Sequence, residues 1–254
     1  MGGVSQPSEA SGGNSIAGRA IFEEAASHPG VAALNRFNGH LAERELPRDR
    51  LRTFFASMTA FVRLITPGIP ALAVRMSDEL FEQAPYRAHG IAAHILAASI
   101  DEYGLGGTKP HAELLLDFAR YFGLTEQEVN APEIAVASSR QLGDSVGAWY
   151  RTAPVDYALG MHTASEVTGY EEAFGFHRAF LEPPKYGLTK TTPEFLYVAT
   201  HVEREGNHSA DVVLCLDQYL ALRPEAAANI LRGCRDYMTL YERMFIELDR
   251  AMFG

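Results

Sequence analysis

The chain has 254 residues, of which 47% are hydrophobic and 21% are charged, a balance typical of a globular protein with a substantial core. Its 22 basic and 32 acidic side chains give a formal net charge of -10 at pH 7. Sequence-independent nucleic-acid binding and docking on anionic membranes both rely on basic surfaces, so we expect neither kind of partner.

Two further features bear on where the protein works. The chain has two cysteines, Cys215 and Cys234, which are too few for a disulfide framework and suit a reducing compartment. No apolar run approaches the roughly 20 residues that a membrane span needs, and no signal-peptide pattern opens the chain. These observations predict a cytoplasmic protein.

Beyond its first residues, the chain has the pattern of a helical protein. Residues 1–14 are small or polar and are predicted to form a disordered tail, because they offer little apolar surface to bury. Apolar residues then recur every three or four positions, for example in 52–65, 91–102 and 230–248. No segment alternates as a strand would, and proline and glycine fall between the periodic segments. Residues 15–254 are therefore predicted to form one all-α domain, a bundle of about seven helices.

One segment combines two histidines with an acid at helical spacing. His201, Glu205 and His208 are four and three residues apart, so a helix places them on one face. Two imidazoles and a carboxylate suit iron, manganese or zinc. The segment also contains several valines, and a polar group in a buried helix is costly unless it has a partner. Taken alone, the pattern fits metal ligands and a chance cluster on a solvated face equally well.

Two more acids lie on apolar helical segments. Glu102 ends one predicted helix, and His111 falls in the first turn of the next, although an exposed Glu102 and a capping His111 would give the same pattern. Glu166 lies among small and apolar residues on a predicted core helix, with His162 four residues earlier. A pair with that spacing is expected about once by chance in this composition, so we interpret His162 as a supporting or core residue.

Together these residues predict a metal centre. Several buried carboxylates without compensation would cost several kcal/mol each, which is comparable with the whole stability of a domain. A shared cation removes that conflict, and inward-facing Glu and His on facing helices form the di-iron and di-manganese sites of helical proteins. The residues therefore predict a dinuclear metal centre in a helical core.

The same segments resemble a known family, the haem-oxygenase-like diiron oxidases and oxygenases, often described only as iron-containing redox enzymes. The resemblance covers roughly residues 85–215 and consists of three motifs in order: DEYGLGG at 101–107 with HAELL at 111–115, ALG at 158–160 with Glu166, and His201-x3-Glu205-x2-His208. The acid of the last motif is often aspartate in that family. The longer Glu205 found here would alter how the second metal is held.

The resemblance implies a helical fold shared with haem oxygenase and thiaminase-type proteins, and a non-haem diiron enzyme that uses two Fe(II) ions and O2. It implies oxidation of a small amino acid or amine, by N-oxygenation or oxidative cleavage, in natural-product biosynthesis. Carried over by position, six residues would bind the metals and act in catalysis through them: Glu102, His111, Glu166, His201, Glu205 and His208. Manganese would suit the same donors. Haem is not expected, because one proximal histidine would leave the other motifs unexplained.

Three alternatives remain open from the sequence. A fatty-acid oxidative decarboxylase would need a long apolar tunnel, for which core phenylalanines are the candidates: Phe54, Phe55, Phe61, Phe81 and Phe195. A metal-independent, thiaminase-like hydrolase would use a cysteine nucleophile, although Cys215 and Cys234 have the surroundings of inert buried thiols. A non-catalytic helical binding module would keep the metal ligands as a structural metal site. The apolar stripe formed by the periodic residues of 230–248 would then suit the interface of a homodimer.

The expected partner is a small-molecule substrate, and its anchor is not fixed by the sequence. A substrate carboxylate is commonly bound by arginine, which presents a planar fork of donors. Five arginines are equally good candidates on sequence grounds: Arg63, Arg75, Arg151, Arg178 and Arg204.

Overall fold

Helices account for all the regular structure in the described part of the chain. The computed structural model describes residues 16–105, 109–182 and 185–254, apart from the side chains of residues 16, 17, 101 and 203–207. The predicted tail, residues 1–14, lies outside these ranges. The α-helices are α1 (Ile16–Ser27), α2 (Pro29–Glu43), α3 (Arg48–Val62), α4 (Ile65–Phe81), α5 (Pro85–Glu102), α6 (His111–Tyr121), α7 (Glu126–Val129), α8 (Ala137–Thr152), α9 (Val155–Leu181), α10 (Leu196–Leu222) and α11 (Ala227–Phe253).

The predicted fold class is confirmed, with a difference in the number of helices. The described residues form eleven α-helices and two short 3₁₀ turns, Pro193–Phe195 and Pro224–Ala226, and contain no strand. The sequence predicted about seven helices, because apolar periodicity does not show the turn that separates α3 from α4 or the single turn of α7. The prediction that residues 15–254 form one domain stays a prediction.

Three helices of 27 residues each, α9, α10 and α11, form the centre of the protein. The stripe predicted on the last helix is fully buried: Ile230, Cys234, Tyr237, Tyr241, Met244 and Leu248. These residues face other helices of the same chain, since α11 packs on α9, α2 and α8. The stripe is therefore part of the protein's own core and not an exposed surface for a homodimer interface.

Helix α9 is buried on most of its circumference. Unlike α11, it has no single apolar face, and it contacts α11, α10, α2, α1, α4 and α8. A helix surrounded in this way belongs to the core, and any polar group on it must find a partner there. This position explains why an acid on α9 is a candidate functional residue.

The α9–α11 pair packs unusually closely, because each helix places a glycine at the crossing. A Cβ atom at Gly160 would collide with the carbonyl oxygen of Ile230. A Cβ atom at Gly233 would collide with the carbonyl oxygen of Tyr157. The obstacles are backbone atoms, which cannot rotate away as a side chain can, so the approach of the two helices requires glycine at both positions.

We expect Gly160→Ala to lower the free energy of unfolding by about 1–3 kcal/mol or more, because the added methyl group must push α9 and α11 apart. Gly39 is the matched control: it is exposed on α2, and a Cβ atom there would meet nothing within 4 Å. Gly39→Ala should raise the stability by about 0.4–1 kcal/mol through the lower entropy of the unfolded chain. Urea denaturation measures the free energy of unfolding of both variants. If Gly160→Ala were as stable as Gly39→Ala, α9 and α11 would not be in such close contact.

Helix α8 is fixed at both ends by charged side chains of other helices. At its start, the Glu247 carboxylate of α11 accepts hydrogen bonds from the backbone amides of Ala137 and Ser138, at 3.2 and 2.9 Å. At its end, the Arg75 guanidinium of α4 donates to the carbonyl of Tyr150 at 2.9 Å and to that of Ala153. Both contacts satisfy backbone groups that have no partner inside the helix. They also fix the position of Tyr150, whose hydroxyl lies 2.9 Å from Nδ1 of His162 on α9.

One segment has the length and apolar composition of a membrane-spanning helix, which the sequence analysis did not predict. It is Arg48–Phe81, with a mean hydropathy of 1.4 in its most apolar window. The segment consists of α3 and α4, and 44% of that window is buried inside the protein. Phe54, Phe55 and Leu72 of this segment lie in the main apolar core. Core helices share this composition, so it is weak evidence for a membrane span.

Candidate metal centre

A cavity of about 160 Å³ lies inside the helical core, lined by residues of α3–α6 and α9–α11. Five of the six predicted ligands line it: Glu102, His111, Glu166, His201 and His208. They come from four helices, and the structure therefore brings together motifs that are about 100 residues apart in the chain. The sixth predicted ligand, Glu205, belongs to α10 but its side chain lies outside the described residues.

The first part of the site forms where α5 ends and α6 begins. Glu102 is the last residue of α5, and His111 is the first residue of α6, after Pro110 at the N-cap. The Nδ1 atom of His111 lies 2.8 Å from Oε1 of Glu102. Thr66, near the start of α4, donates its hydroxyl proton to the other carboxylate oxygen, Oε2, at 2.7 Å. Three helix termini thus meet at one carboxylate.

The Glu102 carboxyl group is ionised in this environment. Burial alone would raise its pKa, but the hydrogen bond with His111 and the charges of His111 and His201 outweigh burial and lower the pKa to about 2. The hydrogen bond from Thr66 acts in the same direction. An ionised carboxylate is the form that binds a cation.

The orientation of His201 is set by its own helix. Its Nδ1 atom lies 2.6 Å from the carbonyl oxygen of Tyr197, one turn earlier on α10. A carbonyl oxygen only accepts hydrogen bonds, so Nδ1 must carry the proton, and in the neutral ring Nε2 then has the lone pair. A histidine that donates its other N–H to a carbonyl is the usual arrangement of a metal-bound imidazole. The ring centroid of His201 lies 4.2 Å from that of His111.

The donors at this end of the cavity fit a divalent metal ion. Glu102, His111 and His201 each offer a ligand atom, and these atoms all lie within 4.8 Å of one another. The Nε2 atom of His111 is buried and has no hydrogen-bond partner among the described residues, which is costly for a polar atom. One carboxylate and two imidazoles are a donor set for iron, manganese or zinc, and a bound metal would satisfy that nitrogen.

A second group of donors lies on α9 and α10. Nδ1 of His208 is 3.6 Å from Oε2 of Glu166, and Nδ1 of His162 is 3.5 Å from Oε1 of the same carboxylate. The Tyr150 hydroxyl lies 2.9 Å from Nδ1 of His162. Glu166 and His208 line the cavity, whereas His162 does not and lies behind Glu166. Within the described residues, this second group is one carboxylate and one imidazole facing the cavity.

His162 is neutral at physiological pH. Burial, together with the charge of His208, lowers its pKa to about 3. Burial and the nearby Glu166 charge raise the pKa of Tyr150 well above its usual value, so the phenol keeps its proton. His162 thus lies beside the Glu166 carboxylate as a neutral ring, with its Nδ1 atom next to the Tyr150 hydroxyl. The interpretation of His162 as a supporting or core residue stays a prediction.

The family assignment follows from comparison with known proteins. Residues 55–242 match the family of iron-containing redox enzymes. The chain belongs to this family. Among curated proteins, no sequence matches this one. A solved structure with a similar fold is a TenA homolog from Pseudomonas syringae pv. tomato str. DC3000, with a TM-score of 0.61, 11% identity, and coverage of 93% of this chain and 97% of that chain. At this level of identity the similarity concerns the fold alone.

The motif resemblance is thus confirmed at the level of the family and of the all-α fold. Membership among the iron-containing redox enzymes suits the donor chemistry of the cavity, where carboxylate and imidazole groups converge. The number of metals and the identity of each ligand stay predictions.

Sequence reasoning missed three residues that line the cavity of this iron-containing redox enzyme. Nothing in the sequence around Thr66, which precedes a proline, indicates a functional residue, because its contact with Glu102 depends on how the helices pack. Glu172 is buried on α9 and lines the same cavity, and Tyr237 lines it from α11. Glu172 could have been found, since the argument applied to Glu166, an acid among apolar residues on a core helix, applies to it equally.

The structure also bears on the alternative functions. Cys215 and Cys234 are buried, burial raises the pKa of both thiols, and neither lines the cavity among the described residues. A hydrolase that uses a cysteine nucleophile in this cavity is therefore not supported. Of the five phenylalanines considered for a fatty-acid tunnel, Phe61 lines the cavity, while Phe54, Phe55 and Phe195 are buried in the core and Phe81 is 49% exposed.

Thr66→Val offers a test of the α5–α6 end of the site. The substitution keeps the shape of the side chain and removes the hydrogen bond to Glu102, so we expect about 10- to 100-fold weaker Fe(II) binding with unchanged helix content. Anaerobic Fe(II) titration and circular dichroism measure the two quantities. Thr53→Val is the control, because the Thr53 hydroxyl bonds a carbonyl of its own helix and does not line the cavity. Unaltered iron affinity in Thr66→Val would count against Glu102 as a ligand.

Proposed function

We propose that the protein is a non-haem diiron enzyme that activates O2 to oxidise a small amino acid or amine. The observation that carries this proposal is one cavity in the helical core, in which Glu102, His111 and His201 converge at one place and Glu166 approaches His208 at another. Membership in the family of iron-containing redox enzymes supports iron as the metal. Cytoplasmic location and a role in natural-product biosynthesis stay predictions.

The residues of this chain suit two metal ions better than one. Glu102 and Glu166 lie on different helices, and each has a histidine nearby that lines the same cavity. Each set offers a carboxylate and an imidazole, the mixed donors from which helical proteins build two-metal sites. Glu205, which the motif places on the face of His201 and His208, is proposed to complete the second set.

Iron, when bound, would supply the reduction of O2, a chemistry that no protein side chain provides. The chain's own contribution is to hold the donors and to exclude water. Ile65, Ile69 and Val198 line the cavity beside the donors, and Ile69 and Val198 are almost completely buried. An apolar wall of this kind strengthens the electrostatic interactions inside it and limits side reactions with solvent.

The lining of the cavity narrows the choice of the substrate's carboxylate anchor. Arg63 lines the cavity, and its guanidinium also donates to Asp144 at 2.8 Å. Arg75 and Arg151 instead donate to backbone carbonyls of α8 and its C-cap, and neither lines the cavity. Arg178 does not line it, and the side chain of Arg204 lies outside the described residues. Among the candidates whose side chains the structure describes, Arg63 alone lines the cavity, and it is the proposed anchor.

Iron loading under anaerobic conditions tests the proposal. We expect about two Fe(II) per chain, measured by elemental analysis after desalting, together with a rise in melting temperature because iron binds the folded state. Glu102→Ala and His208→Ala should each lose about one equivalent, since each removes a donor from a different group. The iron-loaded protein should then consume O2 when amino acids are added, and it should do so with one chemical class of amino acid. Protein without iron should consume none.

Two variants provide matched controls for this experiment. Glu113→Ala removes an exposed acid of α6, and His94→Ala removes a histidine of α5 that pairs with Asp211; neither residue lines the cavity. Both variants should keep full iron content. Full iron content in Glu102→Ala and His208→Ala as well, or substrate turnover that persists in a chelator, would contradict the proposed function.

A further inference from the structure

Helix α5 has an exposed, largely apolar face that no element in the described part of the chain covers. Positions on this face recur at steps of three and four residues, and all of them are exposed: Tyr86, His89, Ala93, Leu96, Ile100 and Tyr103. We call these six residues the outer face of α5. Tyr86 is 98% exposed and Ile100 is 51% exposed. The outer face extends over about 25 Å of helix.

The opposite side of α5 packs in the core, so this helix is apolar on both sides. Ala88, Ile91 and Ile95 are fully buried, and α5 packs on α4 and α10. A helix that is apolar all round is normally covered all round. Steps of three and four residues are also the spacing with which one helix packs along another. The outer face therefore has the pattern of a helix–helix contact whose second helix is not among the described residues.

Helix α4 widens this apolar surface. The ring centroid of Phe81 lies 5.9 Å from that of His89, and Phe81 is 49% exposed. Val74 lies two turns earlier on the same side of α4 and is 59% exposed. A fully accessible aromatic side chain offers about 150–250 Å², so the large side chains of α4 and α5 together expose several hundred Å², an order-of-magnitude figure. A standard interface takes about 800 Å² from each partner, and this surface approaches that size.

The surface carries almost no charge, which restricts what can cover it. Residues 88–100 contain no Asp, Glu, Lys or Arg, and residues 65–77 contain only Arg75, whose guanidinium donates to carbonyl groups at the end of α8. Two copies of a chain with a net charge of -10 repel each other, and they approach most easily through an uncharged face. A membrane is less suitable, because helices that lie on membranes carry several basic residues, and α5 has only Arg87.

A second copy of the chain fits the outer face in an antiparallel orientation. A two-fold axis near the middle of the face places each end of one α5 beside the opposite end of the other. The exposed residues Gly90 and Ala93 are small and let the two helix axes come close. Arg87, exposed in the first turn of α5, then lies near the C-terminal end of the second α5, where the helix dipole favours a cation. The outer face is thus complementary to itself.

We infer that the protein forms a homodimer in which the outer faces of two α5 helices pack antiparallel, with Val74 and Phe81 of α4 at the margin. This interface differs from the one considered for residues 230–248, which are buried within the chain's own core. None of the six outer-face residues lines the cavity, so the inference does not depend on the proposed function.

Sedimentation velocity of the full chain tests the inference. We expect a species of twice 27.9 kDa, with a dissociation constant of about 10 μM or tighter. Ile100→Asp places two carboxylates in the apolar interface and should weaken the dimer about 100-fold or more. Ile246→Asp is the matched control, because Ile246 is 37% exposed on α11, away from the outer face of α5, and this variant should keep the wild-type affinity. A wild-type chain that stays monomeric up to the highest concentration measured would overturn the inference.

Crosslinking locates the interface without adding a charge. Ala93→Cys, in the middle of the outer face, should be linked to a second chain by a short bis-maleimide, whereas Gly39→Cys, exposed on α2, should not. Circular dichroism should show the same helix content in all four variants.

Two further results would contradict the inference. A dimer that Ile100→Asp leaves intact and that Ala93→Cys does not crosslink would place the interface on another surface. A monomer that binds phosphatidylcholine vesicles, and loses that binding in Ile100→Asp, would show that a membrane covers the outer face instead of a second copy.

Discussion

The hydrogen bond between Glu102 and His111 is the contact on which the arrangement of the site depends. It joins the last residue of α5 to the first residue of α6, and Thr66 adds the start of α4 to the same carboxylate. A helix end is where backbone groups lack partners and where the chain direction changes, so its position is easily shifted. A buried, ionised carboxylate that binds two neighbouring elements restricts that freedom. It also leaves Nε2 of His111 buried without a hydrogen-bond partner among the described residues, which is the strongest local reason to place a metal there.

The second constraint is the close packing around α9. Gly160 and Gly233 let α9 and α11 approach until backbone touches backbone, and this approach brings Tyr237 and Tyr241 to the polar face of α9. Their hydroxyls reach Thr168 and Glu172 at 3.2 and 3.0 Å. Small residues at the crossing thus determine which polar groups can meet in the core. Polar groups buried in this way need fixed partners, since each unsatisfied one costs free energy.

The sequence predicted the parts of the structure that depend on spacing along one helix. The periodicity of 230–248 predicted the buried face of α11, and the spacing of His201 and His208 placed both on the cavity side of α10. Proline before His111 predicted the start of α6 at the observed residue. The family that the motifs indicated is confirmed by the match over residues 55–242.

Contacts between distant helices were not predictable in the same way. Thr66 and Glu102 are 36 residues apart, and Glu172 and Tyr241 are 69 residues apart. No periodicity links such pairs, because their meeting depends on how whole helices pack. The helix count was underestimated for a related reason: the turn between α3 and α4 leaves both helices apolar, so hydropathy does not mark it. Glu172 is different, since its signal was present in the sequence and was applied only to Glu166.

The cavity-lining residues of α9 have a consequence for how the cavity can change in shape. Glu166 and Glu172 project from one continuous helix, so their separation is set by the helical rise and cannot drift independently. Gly169, Ala173 and Phe176 line the same cavity from α9, so a change of volume at these positions would alter the shape of the cavity and leave both acids in register. Helix α9 therefore fixes the spacing of the two acids independently of the shape of the cavity beside them.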